Sequence, residues 1–221
     1  MVHSQTDDRP IVTLVTAMTL DGKIATKTGD SKISSTMDLK MLHLLRSRSD
    51  AVMIGIGTLL KDNPLLTVRL VKGKSPIRII VDGSARTPLN SRILTISGPP
   101  VIVAVTRGAS KKRVNALQQA GARVFCIGKA HVSLKTLLTR LHCLGIERIL
   151  LEGGGELNWS MISNRLVDYI RVTVAPIITG GSHAPTLVDG EGIANIRNAI
   201  SLIPISARRH GKEVILSYKV N

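Results

Sequence analysis

Aromatic residues, cysteines and acids are all scarce in this chain, and each shortage narrows what it can do. The aromatic side chains are Phe125, Trp159, Tyr169 and Tyr218 alone. They are too scattered to form the stacking platform of a single-strand nucleic-acid binder. Two cysteines, Cys126 and Cys143, cannot staple a chain of 221 residues and suit a reducing compartment. The zinc-deaminase pattern H-x-E followed by P-C-x-x-C is missing. Cys126, His131, His142 and Cys143 match no usual ligand spacing, so buried cysteines and surface histidines are expected rather than a metal site. No apolar run approaches bilayer-spanning length, and the first ten residues are polar, unlike a signal peptide. The expectation is a cytoplasmic protein without a membrane partner.

Acids number 15 against 30 Lys+Arg, a formal charge of +15. Such a balance attracts anions, whether nucleic acid or phosphorylated small molecules. The basic residues are spread out, with only small clusters such as Lys111-Lys112-Arg113. A solvated basic surface and an anion-directed one both remain open, and nucleic acid is not the expected partner.

Hydrophobic residues make up 43% of the chain, enough for one sizeable core. Strand-like and helix-like segments alternate through the first three quarters. Strands are expected at Arg9–Met18, Asp50–Ile54, Ile77–Val81, Val101–Val105, Arg123–Ile127 and Arg148–Leu151. Ser35 and Asp38 open a helix reaching Ser49, and a short helix after Gly55-Ile56-Gly57 stops before Asn63-Pro64. Further helices are expected at Lys111–Ala120, Leu134–Leu144 and Glu156–Asn164. This alternation implies a largely parallel sheet covered on both faces. Strands then take over, at Tyr169–Ala175, Leu202–Arg208 and Glu213–Val220, which predicts an antiparallel edge. The glycine-rich loop Pro176–Gly192 suits a site mouth or a subunit contact. The reading is one α/β domain over residues 1–221, with residues 1–9 as a disordered tail.

Two blocks can carry chemistry. In Ile149-Leu150-Leu151-Glu152-Gly153-Gly154-Gly155-Glu156-Leu157, an apolar strand stops at an acid, and three glycines lead into a helix. A glycine turn exposes backbone N–H groups at a helix start, where an anion such as a pyrophosphate is favoured. A bare strand-to-helix turn is the alternative. Neither standard nucleotide motif is present: position 158 is Asn158 where a dinucleotide fingerprint starting at Gly153 needs glycine, and elsewhere in the chain Gly73-Lys74-Ser75 lacks the leading glycine of a P-loop. In the second block, Gly55 through Arg69, Thr58 and Asp62 share one helix face. Arg69 follows a strand-like Leu66-Thr67-Val68 and could fork a phosphate.

The ordered blocks TLDGK, GDSKIS, LLRSRSDAVMIGIGTLLKDNPLLTVR, RIIVDGSAR, LLEGGGELNW, APIITGG and APTLVDGEG resemble the riboflavin-pathway reductase family, over nearly the whole chain. The likeness is to its stand-alone form, as in archaea, rather than the form fused to a deaminase. The resemblance implies a dihydrofolate reductase-like fold: a mixed, mostly parallel sheet flanked by helices, with an antiparallel C-terminal edge. It implies NADPH-dependent reduction of a ribosylamino-pyrimidine 5′-phosphate by hydride transfer to C1′ of a ring-opened imine, and a homodimer. By the same resemblance, Thr58, Asp62, Gly83, Ser84, Ala85, Arg86, Val132, Gly154, Gly155, Glu156 and Leu157 would hold NADPH. Ser31, Arg46, Leu66, Arg69 and Glu152 would hold the substrate, with Lys23 near its ribose. Lys23 and Asp62 are the candidate catalytic groups, and water is a third proton source. Reduction of the deaminated pyrimidine, or of a pteridine, is the alternative within the class. A basic nucleic-acid-binding protein is the alternative outside it.

Overall fold

Short runs of Val, Ile and Leu without polar alternation become the middle of a nine-stranded sheet, because strands covered on both faces have no side left for water. The computed structural model describes residues 8–221. Along the chain run β1 (Ile11–Thr19), α1 (Thr36–Ser47), β2 (Ala51–Gly55), α2 (Ile56–Asp62), β3 (Ile77–Val81), α3 (Arg92–Thr95) and β4 (Val101–Val105). Then come α4 (Lys111–Gln119), β5 (Arg123–Cys126), α5 (Leu134–His142), β6 (Arg148–Gly153), α6 (Gly155–Ser163), β7 (Tyr169–Ala175), β8 (Leu202–His210) and β9 (Glu213–Val220). The strand order is β5-β4-β3-β2-β6-β1-β7-β9-β8. The seven strands from β5 to β7 are parallel, and β9 and β8 close the sheet antiparallel.

Successive strand residues point to opposite faces, which splits the core in two. Met53 and Ile79 face Leu137, Leu138 and Leu141 of α5 and Leu157 and Met161 of α6. Val52, Ile54, Ile80 and Val103 face the other way, with Leu59 of α2, Ile93 of α3 and Leu117 of α4. Leu42 and Leu45 of α1 pack on this second cluster. The Ser35 hydroxyl accepts from the Asp38 N–H at 3.2 Å, the helix start its sequence suggests. It also donates to Glu213 at 2.7 Å, tying α1 to β9.

Every strand and every longer helix lies within about two residues of its expected position. Five features differ. Leu66-Thr67-Val68 is not a strand: Leu66 takes a left-handed φ of 55°, and the segment runs irregularly. The four-residue α3 and a 3₁₀ turn at Ile196–Asn198 have no counterpart in the sequence patterns, being too short for periodicity to register. Cys126 and Cys143 are free but exposed rather than buried. Of the expected N-terminal tail, residues 1–7 lie outside the described residues, whereas Arg9 is fixed by a two-pronged pair with Asp168 at 2.9 and 2.8 Å. No helix among the described residues is long and apolar enough to cross a membrane. They also contain no cluster of ligands for a metal.

Candidate active site

Parallel strands expose one end of the sheet to a row of strand-to-helix turns, and ligands in such sheets bind outside the carboxyl ends. Here a cleft of about 400 Å³ opens there, between α1, α2, the start of α6 and the loop around Asp189. Thr58, Asp62, Gly154, Gly155, Glu156 and Leu157 line it, and so do Ser31, Arg46, Leu66 and Glu152. Ten of the residues expected from sequence thus meet in one cavity.

The three-glycine turn is more than an open cradle. Gly153 needs its positive φ of 90°. A Cβ on Gly155 would collide with the Asp189 carboxylate, while the Gly155 carbonyl accepts from the Asp189 N–H at 3.2 Å. The Gly154 N–H donates to Thr58 Oγ1 at 2.9 Å, so Thr58 ties α2 to the turn and one cradle donor is already engaged. Within α6 the first bond runs from the Asn158 N–H to the Gly154 carbonyl. The N–H groups of Gly155, Glu156 and Leu157 have no acceptor within the helix, as at any helix start.

Arg46 and Glu152 lie 106 residues apart in sequence yet form a two-pronged pair, with Nε and Nη2 each 2.7 Å from a carboxylate oxygen. Arg46 Nη1 donates to the Thr67 carbonyl at 3.2 Å. Burial alone would lower the Arg46 pKa; the Glu152 charge and hydrogen bonds outweigh it and hold the guanidinium above its usual value. All three Arg46 nitrogens are therefore engaged within the protein, while the side chain still lines the cleft. The same pair fixes Glu152 at the cleft wall.

Asp62 receives the Ser31 hydroxyl at 3.3 Å. Shielding by the cleft wall pushes its carboxyl above the ordinary range, although the Ser31 bond and Lys61 pull back. Arg69 stands outside the cleft lining, exposed, with Nη1 donating to Thr67 Oγ1 at 2.7 Å. Lys23 is also outside the lining. Its ammonium donates to the Ala184 carbonyl at 3.3 Å, and its backbone bridges to Thr186. These contacts tether Lys23 to the 184–189 loop.

Gly83, Ser84, Ala85 and Arg86 follow β3, two strands from β6, which is about 10 Å at ordinary strand spacing. Ala85 is buried in a left-handed conformation, φ 56°, so Ser84 and Arg86 are turned outward and exposed. Arg113 of α4 braces this turn by donating to the Ala85 carbonyl at 2.9 Å and to the Thr87 carbonyl. Val132 packs against the α5 side of the core, leaving little but its backbone to offer. The sequence reading missed Asp38, Arg171 and Asp189, which also line the cleft. The signals for Asp189 were the glycine-rich loop that carries it and its place in the block APTLVDGEG.

The pattern of the RibD C-terminal domain matches residues 10–216. The 2,5-diamino-6-ribosylamino-4(3H)-pyrimidinone 5′-phosphate reductase of Methanothermobacter thermautotrophicus is 48% identical, covering 96% of this chain and 99% of that one. Its counterpart in Aquifex aeolicus is 38% identical, covering 96% and 97%. Among solved structures, RibD of Acinetobacter baumannii superposes with a TM-score of 0.83 at 25% identity, over 97% of this chain. This chain spans 58% of that protein's length. The Saccharomyces riboflavin biosynthesis reductase shares the fold, with a TM-score of 0.76 at 22% identity over 99% of this chain and 93% of that one. By sequence and by fold, this chain belongs to the RibD C-terminal domain family of reductases.

Proposed function

We propose that this chain reduces 2,5-diamino-6-ribosylamino-4(3H)-pyrimidinone 5′-phosphate to its ribitylamino product in riboflavin biosynthesis, with NADPH as the reductant. The observation that carries the reading is the cleft itself. It joins a glycine turn with free helix-start donors to a fixed carboxylate, Glu152, and a second carboxylate, Asp62, whose pKa is raised. Free N–H groups of Gly155, Glu156 and Leu157 fit a pyrophosphate, and the exposed Ser84 and Arg86 fit a 2′-phosphate further along the strand ends. When bound, NADPH would supply a hydride to C1′ of the ring-opened imine.

The chain's own residues would do the rest. Glu152, held by Arg46, accepts hydrogen bonds from the amino groups of the pyrimidine. Ser31 and Leu66 line the same pocket, and Arg69 at its rim meets the 5′-phosphate. The ring-attached nitrogen needs one proton as C1′ gains the hydride, and Asp62 holds a proton more readily than an ordinary aspartate. Positioning of the two reactants supplies most of the remaining acceleration. Residence in the cytoplasm belongs to the same reading.

A homodimer is also part of this proposal. β8 is the terminal strand of the sheet, and Leu202, Ile203 and Ile205 on it are 39%, 49% and 57% exposed. An apolar edge of this kind suits a second copy of the chain. Light scattering should give twice the monomer mass. The activity is tested by following NADPH consumption with the diamino substrate and with its deaminated form. A strong preference for the diamino compound supports the proposal; no oxidation with either overturns it.

A further inference from the structure

The strip from Thr67 to Leu70 has no strand partner, so side chains must satisfy its backbone. The Thr67 carbonyl is held by Arg46, and the Val68 N–H by the Ser75 hydroxyl at 2.9 Å. The Arg69 N–H donates to His43 Nδ1 at 2.8 Å, with the Leu70 N–H at 3.4 Å from the same atom. His43 and Arg46 are three residues apart on α1, and so on one face, and they are 3% and 6% exposed. One buried helix face therefore holds both Glu152, inside the cleft, and the backbone of Arg69, at its rim.

We propose that His43 is a positioning residue for substrate, fixing the Arg69 backbone so that its guanidinium is presented to the 5′-phosphate. The inference rests on the assignment of Arg69 to that phosphate. Nδ1 can accept only when it carries no proton. Burial, then the charges of Arg46 and Arg69, push the His43 pKa down to about 4, against an opposing pull from Glu152. Those three side chains are the charged groups that bear on the ring. At neutral pH the imidazole is thus neutral, with Nδ1 free to accept and the remaining proton on Nε2.

His43→Leu removes the acceptor, whereas His43→Asn puts Oδ1 where Nδ1 stood. His43→Leu should raise KM for the phosphorylated substrate roughly 10-fold or more. It should leave kcat within about 3-fold and NADPH affinity unchanged. KM for the dephosphorylated nucleoside should not move, and His43→Asn should restore the wild-type value. Equal losses on both substrates, or no rescue by asparagine, overturn the proposal. Arg69→Met run in parallel separates the two levels. If it loses phosphate selectivity while His43→Leu keeps it, the His43 role alone fails. If neither variant loses selectivity, the Arg69 assignment fails and takes the His43 role with it. Should His43→Leu not fold, wild type and His43→Asn compared from pH 7 to 4 give the same test. KM for the phosphorylated substrate should climb more steeply in wild type as the imidazole protonates, and superimposable profiles overturn the proposal.

Discussion

Arg46→Ala is expected to cost stability before it costs phosphate recognition. The Arg46 and Glu152 side chains are 8% and 11% exposed, and each carboxylate oxygen has a guanidinium nitrogen at 2.7 Å. Removing one member of a buried pair leaves the other charge without its partner, a loss of about 3–5 kcal/mol. The Thr67 carbonyl loses its donor as well. For a chain of this size each kcal/mol lowers Tm by about 2–4 °C, so a fall of about 6–20 °C is expected in a thermal melt. Glu152, relieved of both guanidinium hydrogen bonds, also loses its fixed direction. Activity should fall equally for the phosphorylated substrate and its dephosphorylated nucleoside. Arg46→Met paired with Glu152→Leu should recover part of the lost Tm, since an apolar pair removes the uncompensated charge. A Tm within 2 °C of wild type, joined to a loss confined to the phosphorylated substrate, would refute this reasoning. Arg46 would then be a phosphate ligand after all.

Four further outcomes follow from the same geometry. Gly154 has φ −64°, open to any residue, and a Cβ there would sit 3.3 Å from Thr58 Oγ1. Gly154→Val should fold yet weaken NADPH binding by roughly 10- to 150-fold; unchanged calorimetric affinity would make the turn purely structural. Arg86→Ala should narrow the preference for NADPH over NADH by roughly 10-fold, and an unaltered ratio of kcat/KM values would locate the 2′-phosphate elsewhere. With protonated Asp62 as the proposed donor, wild-type kcat should fall as pH rises through its raised pKa. Asp62→Asn should cut kcat roughly 10²- to 10⁴-fold and abolish that limb; a variant with the wild-type pH profile points to water instead. His43, with its pKa lowered to about 4, favours the fold above its ordinary value of 6.5. That contribution is lost as pH falls from 6.5 towards 4, so Tm should drop less over this range in His43→Asn than in wild type.

Much of the architecture was written locally. Val101–Val105 is an unbroken run of β-branched and small apolar residues, and Ile77–Val81 is β-branched apart from Arg78; the ends of both in the structure match the pattern residue for residue. The cap at Ser35, the glycine turn after Glu152 and the shared face of Thr58 and Asp62 are equally local, fixed by backbone preference and helical period. Phosphate and cofactor roles for single residues came from resemblance to a family, and spacing by itself left them open.

What joins distant residues was decided by the tertiary structure. β6 enters the middle of the sheet between β2 and β1, and only that order brings Glu152 to Arg46 across 106 positions. Asp189 meets Gly155, and His43 meets Arg69, through loops whose path no periodicity encodes. Sequence spacing specifies which way a side chain points from its own element, but the partner it reaches depends on how the elements pack. The sequence shows Arg46 and Lys23 as cations near candidate blocks; only the fold shows that they reach Glu152 and the Ala184 carbonyl.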